Sequence, residues 1–269
     1  MVELDEVRHA FTHVNGLRLH RVEYGGSGRP ILCLHGVTGH AWVWHDVAAE
    51  LRSVGRVTGI DMRGYGESQW SGEGAYTTDD HASDLAGVIE DVGTDEVDLA
   101  GSSWGGLVAL AFAARNPGLV RRLALVDVEP SSDKSETDLF PRPRSFASHE
   151  EAVAAERKAN PNAPDHMVEA MATMGTRPAA DGTLVPKHDP YFFDRWPFRA
   201  DDRWEELRGL TIPVLVVHAE QSFIPAETAE RMAREMPDAR LVNVAASGHV
   251  VPVEQPAELA SALRAFLAE

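Results

Sequence analysis

The sequence predicts an α/β protein, with a mostly parallel sheet, helices on both of its faces and an inserted helical cap. Three observations carry this reading. Strand-like runs alternate with helix-spaced segments over residues 1–129 and 208–269, the rhythm of a parallel sheet wound with helices. The stretch PILCLHG (30–36) opens with five residues free of polar side chains, as a strand buried on both faces should. Between 130 and 207 the rhythm stops: prolines and charges are frequent, and aromatics cluster in YFFDRWPF (191–198). That middle stretch reads as a cap carried by one core domain.

Taken in order, HAFTHVNGLRLHRVEYG (9–25) alternates and holds Asn15-Gly16, a pair that accepts the left-handed turn of a two-residue hairpin. AWVWHDVAAELRS (41–53) has helical spacing, and RVTGID (56–61) is a short strand. TTDDHASDLAGVIEDVG (77–93) is a helix with Thr78 as N-cap and Leu85, Val88 and Ile89 on one face. EVDLAG (96–101) is a strand, WGGLVALAFAARNP (104–117) a helix halted by Pro117, and LVRRLALVDV (119–128) a strand. After the cap come the strand PVLVVHAE (213–220), a helix near 225–236, the strand ARLVNV (239–244) and a last helix over 256–267.

Twenty-five Lys and Arg against 42 Asp and Glu give a net charge of −17. Such a charge argues against nucleic acid and anionic membranes as partners and serves solubility. The expected partner is a small molecule. Cys33 is the only cysteine, so no internal disulfide is expected, and MVELDEVRHAF lacks an apolar signal core; both point to the cytoplasm. No run approaches the ~18 apolar residues of a membrane span. A homodimer is among the assemblies this composition allows.

LAGSSWGG (99–106) raises the chemistry. Gly101-Ser102-Ser103-Trp104-Gly105 fits G-x-S-x-G with Ser103 central, between a predicted strand and a predicted helix. There the glycines let the backbone turn sharply and present the serine at a helix N-terminus, where the dipole favours developing negative charge. A merely structural turn is the competing reading, and the strand–turn–helix context weighs against it. A serine nucleophile needs a base. Of the 12 histidines, His249 in ASGHVVPVEQP stands between the last strand and the last helix, at the same end of the sheet. The others read as solvated or structural; His35 is expected to shape its loop by local hydrogen bonding. A tetrahedral oxyanion needs two backbone donors, for which the N–H groups of Trp104 and Val37 are the candidates.

LHGVTG (34–39), DMRGYGES (61–68), GSSWGG (101–106) and SGHVVPVEQP (247–256), in this order, resemble the α/β-hydrolase family over essentially the whole chain. The resemblance implies an eight-stranded, mostly parallel sheet with an inserted cap, and a serine–histidine–acid triad that needs no metal or organic cofactor. In most of that family the acid is an aspartate just after the strand that here reads PVLVVHA. In HAEQSFIP that place holds Gln221, which cannot carry the charge that stabilises an imidazolium.

Three carboxylates could replace it. Asp127 ends the preceding strand, where a minority of the family keep the acid, 24 positions past Ser103. A structural aspartate is the competing reading there. Glu220 is one residue off, and one step along a strand end turns a side chain to the opposite face. Glu129 follows Asp127 by two positions. Asp127 is the acid expected.

In the cap, Met167, Met171 and Met174 share one helical face, which favours packing over a ligand wall, with Met171 kept as a candidate apolar substrate contact. Among the clustered aromatics Trp196 is the expected roof of the pocket, with Phe192 beside it; Trp42 or Trp44 would line the entrance. Arg142, Arg144, Arg195 and Arg199 are the candidates for a charged substrate. Together these residues suggest a serine hydrolase of a mainly apolar carboxylic ester or lactone. Carbon–carbon bond hydrolases of diketones also use serine and are the closest rival. A ligand-binding homologue without turnover is the reading Gln221 would favour. Dehalogenases and epoxide hydrolases of this fold use an aspartate nucleophile, which Ser103 argues against.

Overall fold

The structure is a computed structural model that describes residues 7–131, 143–195 and 201–269. β1 (Arg8–Val14) and β2 (Leu17–Gly25) form the hairpin, and Asn15 and Gly16 both have positive φ, 50° and 73°, as the two-residue turn requires. β3 (Pro30–Leu34) leads through a 3-10 turn at Ala41–Trp44 into α1 (His45–Leu51), so the regular helix starts four residues later than its spacing suggests. β4 (Arg56–Ile60) precedes α2 (Thr78–Val92). The N-cap of α2 is Thr77, not Thr78. Thr77 keeps extended backbone, so its Oγ1 turns back to accept the Asp80 N–H while the Asp80 carboxylate accepts the Thr77 N–H; Thr78 is already helical.

β5 (Val97–Ser102), α3 (Trp104–Arg115) and β6 (Val120–Val126) follow. The chain then leaves the sheet for α4 (His149–Ala159), α5 (Asp165–Gly175), a hairpin of β7 (Thr176–Pro178) with β8 (Leu184–Pro186), a 3-10 turn at Pro190–Phe193 and α6 (Trp204–Arg208). Three-residue strands ending in proline carry no alternating pattern, which is why sequence periodicity misses this hairpin. The stem of the insertion is held where the Arg203 N–H donates to the Pro130 carbonyl at 2.9 Å and Ser131 bridges Asp202. The sheet resumes with β9 (Val214–Ala219), α7 (Ala226–Glu235) and β10 (Ala239–Val244), then α8 (Val251–Glu254) and α9 (Pro256–Leu267).

The strand order is β1-β2-β4-β3-β5-β6-β9-β10, with β2 antiparallel to both neighbours and every pair from β4 to β10 parallel. Successive side chains of a strand face opposite sides, and the core divides accordingly. Leu32, Leu34, Leu123 and Leu125 pack under α2, α3 and α7, whereas Ile31, Cys33, Ala124 and Val126 pack under α1 and α9. Both faces of the central strands are thus covered, and chemistry is left to the loops at the carboxyl edge. Among the described residues, no helix is long and apolar enough to cross a membrane, and no cluster of three or more His, Cys, Asp or Glu is placed to hold a metal ion.

Candidate active site

β5 ends at Ser102 and α3 begins at Trp104, so Ser103 alone makes the turn, at φ 53° and ψ −125°. An L-residue is strained there and persists only where its surroundings fix it. Here the Ser103 N–H donates to the Val126 carbonyl of β6 at 2.9 Å, and the Ser103 carbonyl accepts the Gly106 N–H at 2.9 Å. The flanking glycines are required by close approach. A Cβ at Gly101 would stand 2.4 Å from the Gly105 oxygen, and one at Gly105 would stand 2.4 Å from the His35 oxygen.

Ser103, His249 and Asp127 lie in one hydrogen-bonded line. The Ser103 hydroxyl is 2.8 Å from His249 Nε2, and His249 Nδ1 is 2.6 Å from Asp127 Oδ2. The imidazole is 23% exposed and the Asp127 side chain fully buried. Asp127 has φ 50°, directly past β6, where its N–H donates to the Val217 carbonyl at 2.7 Å. Its Oδ1 accepts the Ala219 N–H at 3.0 Å, and its Oδ2 accepts the Ser222 hydroxyl at 2.5 Å. β6 and β9 are paired neighbours, which is how a carboxylate from one is gripped by the turn after the other.

The remaining candidates of that turn do other work. Glu220 accepts the Ala246 N–H at 2.8 Å, bracing the histidine loop at a residue with φ 51°. Gln221 donates its N–H to the Ser247 carbonyl at 2.8 Å and accepts the Asn162 amide of the cap at 3.1 Å. Glu129 is half-buried, and the nitrogen it would have to meet is already bonded to Asp127. The side chain of this turn that hydrogen-bonds Asp127 is Ser222, a residue the sequence reading did not single out. Buried Glu254, accepting the Gly248 N–H at 2.5 Å, was also missed, as was Phe223, whose 51% exposed ring lies 4.4 Å from that of His249. Their only signal is nearness in sequence to Gln221 and His249.

On the opposite side, buried His35 accepts the Met62 N–H at Nε2 (3.1 Å), so its proton sits on Nδ1, which donates to the Gly36 carbonyl at 2.7 Å. Burial holds the His35 pKa below its usual value, which keeps the ring neutral for this pairing. A Cβ at Gly36 would stand 3.0 Å from the Ser103 Cβ, so Val37 follows immediately beside Ser103. Asp61 of the DMRGYGES stretch accepts the Ala41 N–H at 2.6 Å and the Glu67 N–H at 2.9 Å, tying two loops together. Burial alone would raise the Asp61 pKa; its bond to His20, with His35 and His40 nearby, outweighs burial and brings it down to about 2. Trp104 begins α3, so its N–H stands at the helix N-terminus, and its indole donates to Thr78 Oγ1 at 2.9 Å.

The described apolar cap candidates are buried, Met171 as its helical face favours. Phe192 is 1% exposed and stacks on Tyr65 at 4.3 Å, within the same cluster as Trp104. Met171 is 4% exposed and packs in the cluster that holds Trp42 and Trp44. Side chains so nearly sealed present almost no wall to a substrate; both fasten the cap to the sheet domain. Trp196 lies outside the described residues, as do Arg142 and Arg199. Arg144 pairs with Asp194 at 2.6 Å, and Arg195 lies over Tyr191 at 4.9 Å.

Comparison with known proteins agrees with this architecture. The sequence model of the alpha/beta hydrolase fold matches residues 29–256. A 2-hydroxymuconate semialdehyde hydrolase from a Pseudomonas species is 30% identical over 91% of this chain and 88% of its own. An esterase from Mycobacterium tuberculosis is 26% identical over 91% of this chain and 85% of its own. The crystal structure of E-2-(acetamidomethylene)succinate hydrolase superposes with a TM-score of 0.90 at 26% identity, covering 98% of this chain and all of that one. These relatives are named for different substrates and share a scaffold, so chemistry must be read from the site itself. On fold, sequence and the extent of both matches, the chain belongs to the α/β-hydrolase family and is similar throughout its length to hydrolases.

Proposed function

We propose that the protein is a serine hydrolase that opens a carboxylic ester or lactone of a small, mainly apolar molecule through an acyl-enzyme. The observation that carries this reading is the line from Ser103 Oγ through His249 to Asp127, at 2.8 and 2.6 Å. Ser103 attacks the carbonyl carbon while His249 Nε2 takes its proton. The oxyanion that forms is met by the N–H groups of Trp104 and Val37. His249 then protonates the departing alcohol, and water repeats the attack on the acyl-enzyme. Asp127 remains a carboxylate and fixes the imidazole with Nδ1–H toward itself, the tautomer that leaves Nε2 free to act as base.

A second reading, hydrolysis of a carbon–carbon bond in a diketone, is favoured by the 30% identity to the Pseudomonas hydrolase over 91% of the chain. The same three residues would serve it. A panel of p-nitrophenyl esters of two to eight carbons, γ- and δ-lactones and a vinylogous diketone separates the two by kcat/KM. Highest values on an ester or lactone support the first reading; a preference for the diketone replaces it with the second. No turnover, together with no fluorophosphonate adduct on Ser103, would leave the non-turnover binder.

A further inference from the structure

The turn after β9 carries glutamine at the family's usual acid position, yet it still reaches the triad through the next residue. We infer that Ser222 is a positioning residue that holds and tunes Asp127, making the working unit a hydrogen-bonded set of four. This inference rests on the triad reading above. Ser222 Oγ accepts the Ile224 N–H at 3.0 Å, which fixes the hydroxyl oxygen, and an ionised carboxylate can only accept, so the hydroxyl hydrogen points to Asp127 Oδ2 at 2.5 Å. The same Oδ2 accepts the His249 Nδ1–H at 2.6 Å, while Oδ1 accepts the Ala219 N–H at 3.0 Å. Without Ser222 the fully buried carboxylate would keep a backbone donor on one oxygen and only the imidazole on the other.

Two consequences follow from that geometry. A hydrogen bond to the carboxylate competes with the imidazole for the charge on Oδ2 and sets how strongly the imidazolium is held. It also stops the carboxylate from rotating away from His249 between turnovers. The ionisable groups seen against the His249 loop are Asp127 beyond β6, Glu220 beyond β9 and Glu254 on α8, the latter two on the Ala246 and Gly248 N–H groups. His218 of β9 is engaged with the Ile224 carbonyl at 3.0 Å. Of these only Asp127 bonds the ring, so the Ser222 contact acts on the imidazole through it.

The test is kcat and kcat/KM against pH for Ser222→Ala and Ser222→Thr, on the best ester of the panel, with thermal melting as a check on folding. Ser222→Ala is expected to lower kcat roughly 5- to 50-fold with KM little changed, from loss of one charge-assisted bond. Its kcat/KM acid limb should move up by about half to one pH unit, because a carboxylate with one donor fewer holds the imidazolium more tightly. Ser222→Thr keeps the hydroxyl and should return both toward the wild type. An acid limb that stays in place in Ser222→Ala, or moves equally in Ser222→Thr, overturns the inference. In either case fluorophosphonate labelling of Ser103 in the unaltered enzyme still reports on the triad reading, so the two can fail separately.

Discussion

Two turns flank β6 at the carboxyl edge of the sheet, and both bear on His249, by different means. After β5 the device is the backbone: Ser103 at φ 53°, with glycines where a Cβ would lie 2.4 Å from a carbonyl. After β9 the device is a set of side chains, each gripping a different neighbour. Ser222 holds Asp127, Glu220 holds Ala246 and Gln221 reaches Asn162 of the cap. Ser103, the proposed nucleophile, is therefore set by strain that admits few sequences. Asp127, the proposed acid, is set by hydrogen bonds between adjacent parallel strands. Substitutions of the glycines in the first turn should be severe and structural, and those in the second turn graded and kinetic.

The largest effect sharpens the first half of the comparison. Ser103→Ala removes the proposed nucleophile and should lower kcat roughly 10⁵- to 10⁶-fold, measured on the best ester of the panel, with melting little changed. Gly105→Ala tests the backbone device itself. Its Cβ would meet the His35 and Leu34 carbonyl oxygens at 2.4 and 2.6 Å, atoms that cannot swing aside, so urea melting should show a loss of about 2–5 kcal/mol. An alanine tolerated there would break the claim that the elbow admits no Cβ.

The broadest effect comes from acid. Burial pushes the His81 pKa down to about 3 and the His40 pKa down to about 4, and lowers that of His35. His81 packs on Trp104 with rings 4.3 Å apart, and His35 bonds within the loop opposite the elbow. Unfolded histidines take up protons near pH 6.5, where these folded ones stay neutral. Stability contributed by them is complete above about pH 6.5 and falls as pH drops toward their folded values. Asp61, held to about 2, adds a further loss as pH falls below about 4. Urea midpoints at pH 7.5, 6 and 5 should decline in that order; a flat series would contradict the neutral, buried histidines on the elbow side.

These two turns also explain how far the sequence could be read. Ser103 and its glycines were visible because the motif is local, and His249 because its loop is fixed by the last strand and helix. Asp127 came within reach only through the family resemblance, since the choice among Asp127, Glu129 and Glu220 depends on pairing between β6 and β9. Ser222 was missed because it lies in the turn past β9, where neither strand alternation nor helical spacing fixes which way a side chain points. Phe192 shows why aromatic clusters are hard to place from sequence, since they build cores as readily as pockets; here it stacks on Tyr65.

The central claim, that the acid acting on His249 comes from β6, is tested most directly without knowing the substrate. Wild-type, Asp127→Asn and Glu220→Gln proteins are treated with a fluorophosphonate, the adduct is located by peptide mass spectrometry, and its rate of formation is compared. The expected result is a single adduct on Ser103, forming roughly 10²- to 10⁴-fold more slowly in Asp127→Asn and within about twofold of wild type in Glu220→Gln. Labelling of Asp127→Asn at the wild-type rate, with Glu220→Gln slowed instead, would contradict it.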